Sequence, residues 1–283
     1  FISGNKCERG AGKKLQSDLP NMVAYKNQLF NSIPLKAGGR AKIGLPRALN
    51  IYEMLPFWAE LFRSLDCDVV LSRVSNRNLY MKGQNTIPSD TVCYPAKLVH
   101  GHIIDLLEKN VDAIFYPCMS YTFDEGISDN CYNCPVVAYY PELIQANISE
   151  VEKTNFLYPH LGIENHKLFA EQMYEEFKNI IPKLTKKEME QATEKAFKTY
   201  HEYRETVRQE GSRVLKFAEE NNYPVIILAS RPYHIDPEIN HGLDRLLNSL
   251  QFVIVTEDAL YPVEGKLTTK TLNQWGYHAR MYN

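Results

Sequence analysis

The sequence predicts an α/β protein, with parallel sheets in two lobes joined by long helices. Three observations carry that expectation. Short apolar runs recur, among them KIGLP (42–46), DVVLS (68–72), VDAIFYP (111–117) and PVIILAS (224–230). Between them lie stretches whose apolar residues repeat at helical spacing, and strands alternating with helices in this way build a parallel sheet covered on both faces. A long charged helical region, about 166–221, separates the two sets of strands.

Residues 1–41 are polar and Gly-rich with weak periodicity, which suits an extended arm or short helices. KIGLP is a buried first strand ending at Pro46. NIYEMLPFWAELFRSL (50–65) is a helix that Pro56 is expected to kink or divide. DVVLS is the second strand, and 75–83 a short helix. YPAKLVHGHIIDLLEKN (94–110) is a helix with Pro95 in its first turn and Leu98, Ile103, Leu106 and Leu107 along one stripe. VDAIFYP is a buried strand, and PVVAYYP (135–141) reads as another.

KLFAEQMYEEFKNIIPKL and the charged run after it are helical, broken at Pro182, with mixed charges that suit a solvated face. PVIILAS restarts the α/β pattern, followed by the helix NHGLDRLLNSL (240–250) with Asn240 as a cap, the strand FVIV (252–255) and a final helical stretch. The expected division is an arm (1–41), a first α/β lobe with the clustered cysteines (42–150), a helical linker (151–222) and a second lobe (223–283). Two clear strands there, where a doubly wound domain usually has four or more, suggest a lobe truncated by the end of the chain. The missing initiator Met suggests a piece of something longer.

Composition is that of an ordinary soluble protein, 44% hydrophobic and 23% charged. A formal net charge of -2 makes no electrostatic case for nucleic acid or an anionic membrane as partner. No apolar run reaches the ~18 residues of a spanning helix, and FISGNKCERGAGKK lacks the layout of a secretory signal. Six cysteines in 283 residues are too few for a disulfide scaffold, so a reduced cytoplasmic chain is expected. All six stand at or before Cys134.

GAGKK (10–14) imitates a phosphate loop, but Cys7 stands where the first Gly belongs and Lys14 where Ser or Thr belongs. No G-x-G-x-x-G or G-x-S-x-G occurs, so no nucleotide site is assigned.

Cys93 immediately precedes the helix 94–110, where free amides and the helix dipole favour a thiolate. Cys118 follows the strand 111–117 at its carboxyl end, the edge where open α/β sheets bind ligands. A helix leading into that strand must run antiparallel to it, so both cysteines reach one rim. Cys131 and Cys134 form a C-x-x-C. If 135–141 is a parallel strand, Cys134 begins it at the opposite edge, roughly 23 Å away at ~3.3 Å per residue. Then the 119–134 loop folds back, the strand is antiparallel, or Cys134 belongs elsewhere. The residues alone leave two readings of these cysteines open: ligands of zinc or an iron–sulfur cluster, or small buried hydrophobes. Cys67 reads as core.

SRPYHIDPEINHG (230–242) sets Arg231, His234, Asp236, Glu238 and His241 at a carboxyl-edge loop. Arg231 suits an anion, with His234 and His241 as proton acceptors or metal ligands; alternatively the prolines shape the loop while Asp236 and Asn240 cap it. His100 and His102 read as packing or surface residues.

IGLPRALNIYEMLPFW, TIPSDTVCYPAKLVHGHI, IFYPC, YNCPVVAYYPELI and ILASRPYHIDPEINHG together resemble the C-terminal region of a family, the large activator proteins (CoA-substrate-specific enzyme activases) of the 2-hydroxyacyl-CoA dehydratase system. The similarity runs from SGNKCERG to LNQWGYHARMYN. It implies Rossmann-like lobes similar to the cluster-bearing dehydratase subunits, preceded in a longer protein by ATPase domains. It also implies an electron-transfer role with a dehydratase- or reductase-type redox partner, and an oligomer is compatible with it. By the same resemblance, Cys93, Cys118 and Cys134, with Cys7 as a fourth, are ligands of an iron–sulfur cluster, [4Fe-4S] by analogy, which aerobically prepared protein can lack. The chain itself carries no ATPase site and is at most a component of an ATP-driven reductase or activator. A metal-free docking or regulatory domain and a structural zinc domain are the competing expectations.

Overall fold

The computed structural model describes residues 17–260 and 270–282. Cys7 and the GAGKK stretch lie outside the described residues. Helix α1 (Met22–Ser32) is capped by Asn21, whose side chain accepts from the Val23 and Ala24 amides. The first lobe follows: β1 (Lys42–Leu45), α2 (Ile51–Arg63), β2 (Asp68–Leu71), α3 (Arg77–Gly83), α4 (Tyr94–Leu107), β3 (Ala113–Phe115), α5 (Pro135–Asn147) and β4 (Phe156–Leu157). Then come α6 (His166–Phe177), α7 (Lys186–Glu220), β5 (Val225–Leu228), α8 (Pro237–Asn240), α9 (Leu243–Ser249), β6 (Val253–Thr256) and α10 (Gly276–Tyr282). An α/β fold with parallel sheets is what the strand–helix alternation requires, and it is what forms.

The first sheet has the order β2-β1-β3-β4 with every neighbour parallel. Right-handed crossovers then put α2 on one face and α4 and α5 on the other. Phe115 on β3 packs edge-on against Trp58 and Phe62 of α2, with ring centroids 5.0 and 5.5 Å apart. Phe169 of α6 and Phe197 of α7 complete that aromatic core against Phe57. Pro56 does not divide α2. Nearly every side chain of that helix is buried, and this packing outweighs the ~3 kcal/mol that an interior proline costs.

The expected strand over 135–141 is instead the start of α5. Its Val-Val and Tyr-Tyr pairs favour strands locally, yet Val137, Tyr140, Pro141 and Ile144 are buried at i, i+3, i+4 and i+7, the stripe of an amphipathic helix. Pro135 sits in the first turn, where its missing N–H is no loss. The fourth strand is the two-residue β4, too short to show a period.

β5 and β6 pair in parallel as a separate two-stranded sheet, and Asn21 bridges to Ile254 on β6. Two polar networks lock this part to the first lobe. In one, Asp236, fully buried, accepts from the Tyr52 and Ser75 hydroxyls. His102 sits between Ser72, 2.8 Å away, and Ser75, 3.0 Å away. In the other, Glu53 meets Arg280 at 3.0 Å and accepts from the Tyr277 hydroxyl, while Glu125 takes both Arg280 and Arg204. Among the described residues, no helix is long and apolar enough to cross a membrane.

Candidate metal centre

All helices that flank a parallel sheet start at the carboxyl edge of its strands, so α4 and α5 both begin where β3 ends. Cys93 is the N-cap of α4 (φ -62°, ψ 149°) and Cys134 the N-cap of α5 (φ -64°, ψ 152°). Neither thiol caps its own helix by a hydrogen bond, which leaves both sulfurs available to something else. Cys118 stands just past β3, fully buried.

The loop 119–134 folds back, the first of the three possibilities open from sequence. Tyr121 and Tyr132 form an antiparallel bridge with stacked rings 4.7 Å apart. The Asn133 amide donates to Ser120 O at 2.8 Å, and its side chain to Met119 O at 2.9 Å. This hairpin returns the chain to its starting edge. Cys134 is therefore on the same edge as Cys118, and the expectation of an opposite edge, which rested on a strand over 135–141, is corrected.

Tyr116 lies within electrostatic reach of Cys118, Cys134 and Cys93. Its phenol is completely buried and its hydroxyl has no hydrogen-bond partner. Burial holds its pKa well above the usual value, and Tyr140, Cys118, Cys134 and Cys93 add to that effect. Two more tyrosines close the site. Burial pushes Tyr140 up to about 12, with a contribution from Cys93; Tyr233 also reaches about 12, feeling both Cys134 and Cys93 after burial and the opposing Arg231. The Tyr140 hydroxyl lies 3.0 Å from Nε2 of the buried His100, whose Nδ1 is 2.7 Å from Thr86. Burial pushes the Cys118 thiol up to about 11.

The C-x-x-C is split by the hairpin. The Cys131 carbonyl accepts from Thr122, and its thiol, raised by burial, feels Asp124 and Glu164 rather than Tyr116. Cys67 is buried core, its thiol pushed up to about 12 by burial.

Arg231 and Cys134 line one crevice, together with Asn50, Val137, Pro232, Tyr233 and Tyr277. The Arg231 guanidinium lies 5.4 Å from the Tyr277 ring centre and donates to His278 Nε2 at 3.0 Å. His234 accepts from the Arg231 amide at 3.1 Å and is half-buried. His241 ends α8 in the left-handed region (φ 56°), exposed and apart from this group. Asp236 caps α8 through the Glu238 amide at 2.8 Å, the capping role read from sequence. Glu238 accepts from the Tyr94 hydroxyl at 2.9 Å, tying the loop to the start of α4.

Tyr116, Tyr140, Tyr233, Glu142 and His160 belong to the site's surroundings without having been singled out from sequence. Tyr116 alone carried a signal there, standing two residues before Cys118 on the same side of the extended chain.

No curated protein and no solved structure matches the chain. The family model for the CoA enzyme activase uncharacterised domain (DUF2229) matches residues 42–260. That match spans both sheets, the long helices and every cysteine considered above except Cys7; this chain belongs to the CoA enzyme activase domain family.

Proposed function

We propose that the chain is the iron–sulfur electron-transfer module of an ATP-dependent activator serving a 2-hydroxyacyl-CoA dehydratase-type enzyme in the cytoplasm, with Cys93, Cys118 and Cys134 as ligands. What supports this reading is the position of Cys93 and Cys134 as helix N-caps and of Cys118 at a strand end on one edge of the sheet, all within electrostatic reach of a buried hydroxyl that lacks a partner.

The donor set suits a cluster better than a single ion. Thiolates on one zinc stand about 3.8 Å apart, given Zn–S bonds of about 2.3 Å. Among the described residues, the group of ligand atoms lying within 4.8 Å of one another includes Cys118 but neither Cys93 nor Cys134. In this reading a larger body would sit between them, with the Tyr116 hydroxyl as the donor to its sulfur. Such a cluster accepts and releases single electrons. The chain's own residues would hold it at two helix N-termini, whose amides favour the negative charge gained on reduction. Tyr116, Tyr140 and Tyr233 would wall it from solvent, while Arg231 offers a cation for an anionic group of the acceptor. In this reading the ATPase domains of a longer protein deliver the electron and a dehydratase- or reductase-type partner takes it.

Anaerobic reconstitution with iron and sulfide tests the proposal. The expected product is brown, with broad thiolate-to-iron absorption bleached by dithionite and a paramagnetic signal in the reduced state. Colourless, iron-free protein that still supports activation would instead make the chain a docking domain.

A further inference from the structure

Cys118 faces a second donor set that the three-cysteine reading does not use. Past the ends of β3 and β4 the two segments continue side by side. The Cys118 amide donates to Pro159 O at 2.9 Å and the Leu161 amide to Cys118 O at 3.1 Å, which makes Cys118 and His160 bridge partners. Glu142, on α5, brings its carboxylate to His160, with Oε1 2.8 Å from Nε2. The Cys118 sulfur, a Glu142 oxygen and a His160 nitrogen all lie within 4.8 Å of one another.

We propose that Cys118, Glu142 and His160 form a site for a single divalent transition ion of the zinc type, independent of Cys93 and Cys134. One sulfur, one nitrogen and one oxygen make a borderline-soft set that suits zinc or cobalt and disfavours magnesium and calcium, which take oxygen alone. Tetrahedral zinc at ~2.0–2.3 Å from such donors requires them roughly 3.3–3.8 Å apart, so the three need only close around the ion and open the Glu142–His160 hydrogen bond. The sulfur is anchored in the core. Glu142 and His160 are about half exposed, at 51% and 52% of their side chains, so an ion enters from solvent and a water completes the shell. Three protein donors and an open fourth position make an exchangeable site rather than a closed structural one. Cys118 is the one residue shared with the proposed cluster, so ion and cluster exclude each other. The inference goes beyond the cluster reading and stands without it.

The test is titration of the demetallated, reduced protein with Co²⁺, followed by sulfur-to-cobalt charge-transfer and ligand-field absorption. The expected result is one equivalent bound with tetrahedral bands. E142A, H160A and C118S should each weaken binding by more than about tenfold, the scale that loss of even an outer-shell partner produces; C93A and C134A should bind as the wild type does. Glu142 and His160 are exposed, so their variants retain the fold, which circular dichroism verifies. The inference is overturned if the wild type shows no sulfur-to-cobalt band, if E142A and H160A bind undiminished, or if the bands require Cys93 and Cys134. Failure of the cluster reading would show separately, as wild-type protein that takes up no iron and sulfide.

Discussion

Cys93 and Cys134 occupy equivalent positions on neighbouring helices: each is an N-cap with nearly the same backbone angles, and each is followed by proline in the first helical turn. Serine, threonine, asparagine or aspartate ordinarily fills that position because its oxygen satisfies a free amide. Here cysteine stands there twice and makes no capping bond, at the same edge of the sheet as Cys118. The pairing supports the functional reading, because both helices begin at the same edge of the sheet and present their partial positive ends there.

Tyr116 tests whether the space between the thiols is meant to be filled. An unpaired buried hydroxyl costs about 1–3 kcal/mol. Y116F should therefore stabilise the cluster-free protein by about that amount in urea denaturation. In the reconstituted protein the same variant should lower the reduction potential, because a donor to the cluster's sulfur is lost. A cluster-free Y116F that is less stable than the wild type would contradict this account.

The pH dependence of stability should have two opposed arms. Burial lowers His102 to about 3 and His100 to about 4. The unfolded chain therefore binds more protons than the folded one from those values up to about 6.5, and stability is lost as pH falls below about 6.5. Glu257 runs the other way: burial, with Asp258 adding, raises it from 4.5 to about 7. The folded chain then holds that proton more tightly, so its contribution is present below about 4.5 and is lost as pH rises through about 7. E257Q removes this second arm. Its stability at pH 7 relative to pH 5 should exceed the wild-type difference by about 2 kcal/mol, read from urea midpoints at the two pH values.

Gly101 sets how closely α3 and α4 approach. A Cβ there would lie 2.1 Å from the Leu79 carbonyl oxygen, and one on Gly83 would lie 2.3 Å from the Gly101 amide. G101A must push the helices apart, at a cost of about 1–3 kcal/mol or more. Because α4 places Cys93, iron uptake should fall along with stability. Wild-type stability in G101A would show that this close crossing does not matter.

Much of the fold was legible because apolar runs and helical stripes mark buried strands and one-sided helices, as at 42–45 and 94–107. PVVAYYP by itself has a strand's composition, and the helical stripe is completed only beyond it, at Ile144. That one element reversed the position of Cys134, since a helix and a parallel strand start at opposite edges of the sheet. β4 is two residues long, below the length at which alternation shows. Cys93 and Cys118 were placed together by topology alone. Tyr140, Tyr233, Glu142 and His160 arrive from α5, from the loop after β5 and from the extension of β4, and nothing local in the sequence announces that they meet.

The most direct test is iron and acid-labile sulfide per chain after anaerobic reconstitution, measured for the wild type and for single cysteine variants. The account predicts about four of each in the wild type, a marked loss in C93A, C118A and C134A, and wild-type values in C67A and C131A. Iron uptake that is absent in the wild type, or unaffected by C93A and C134A, would contradict it.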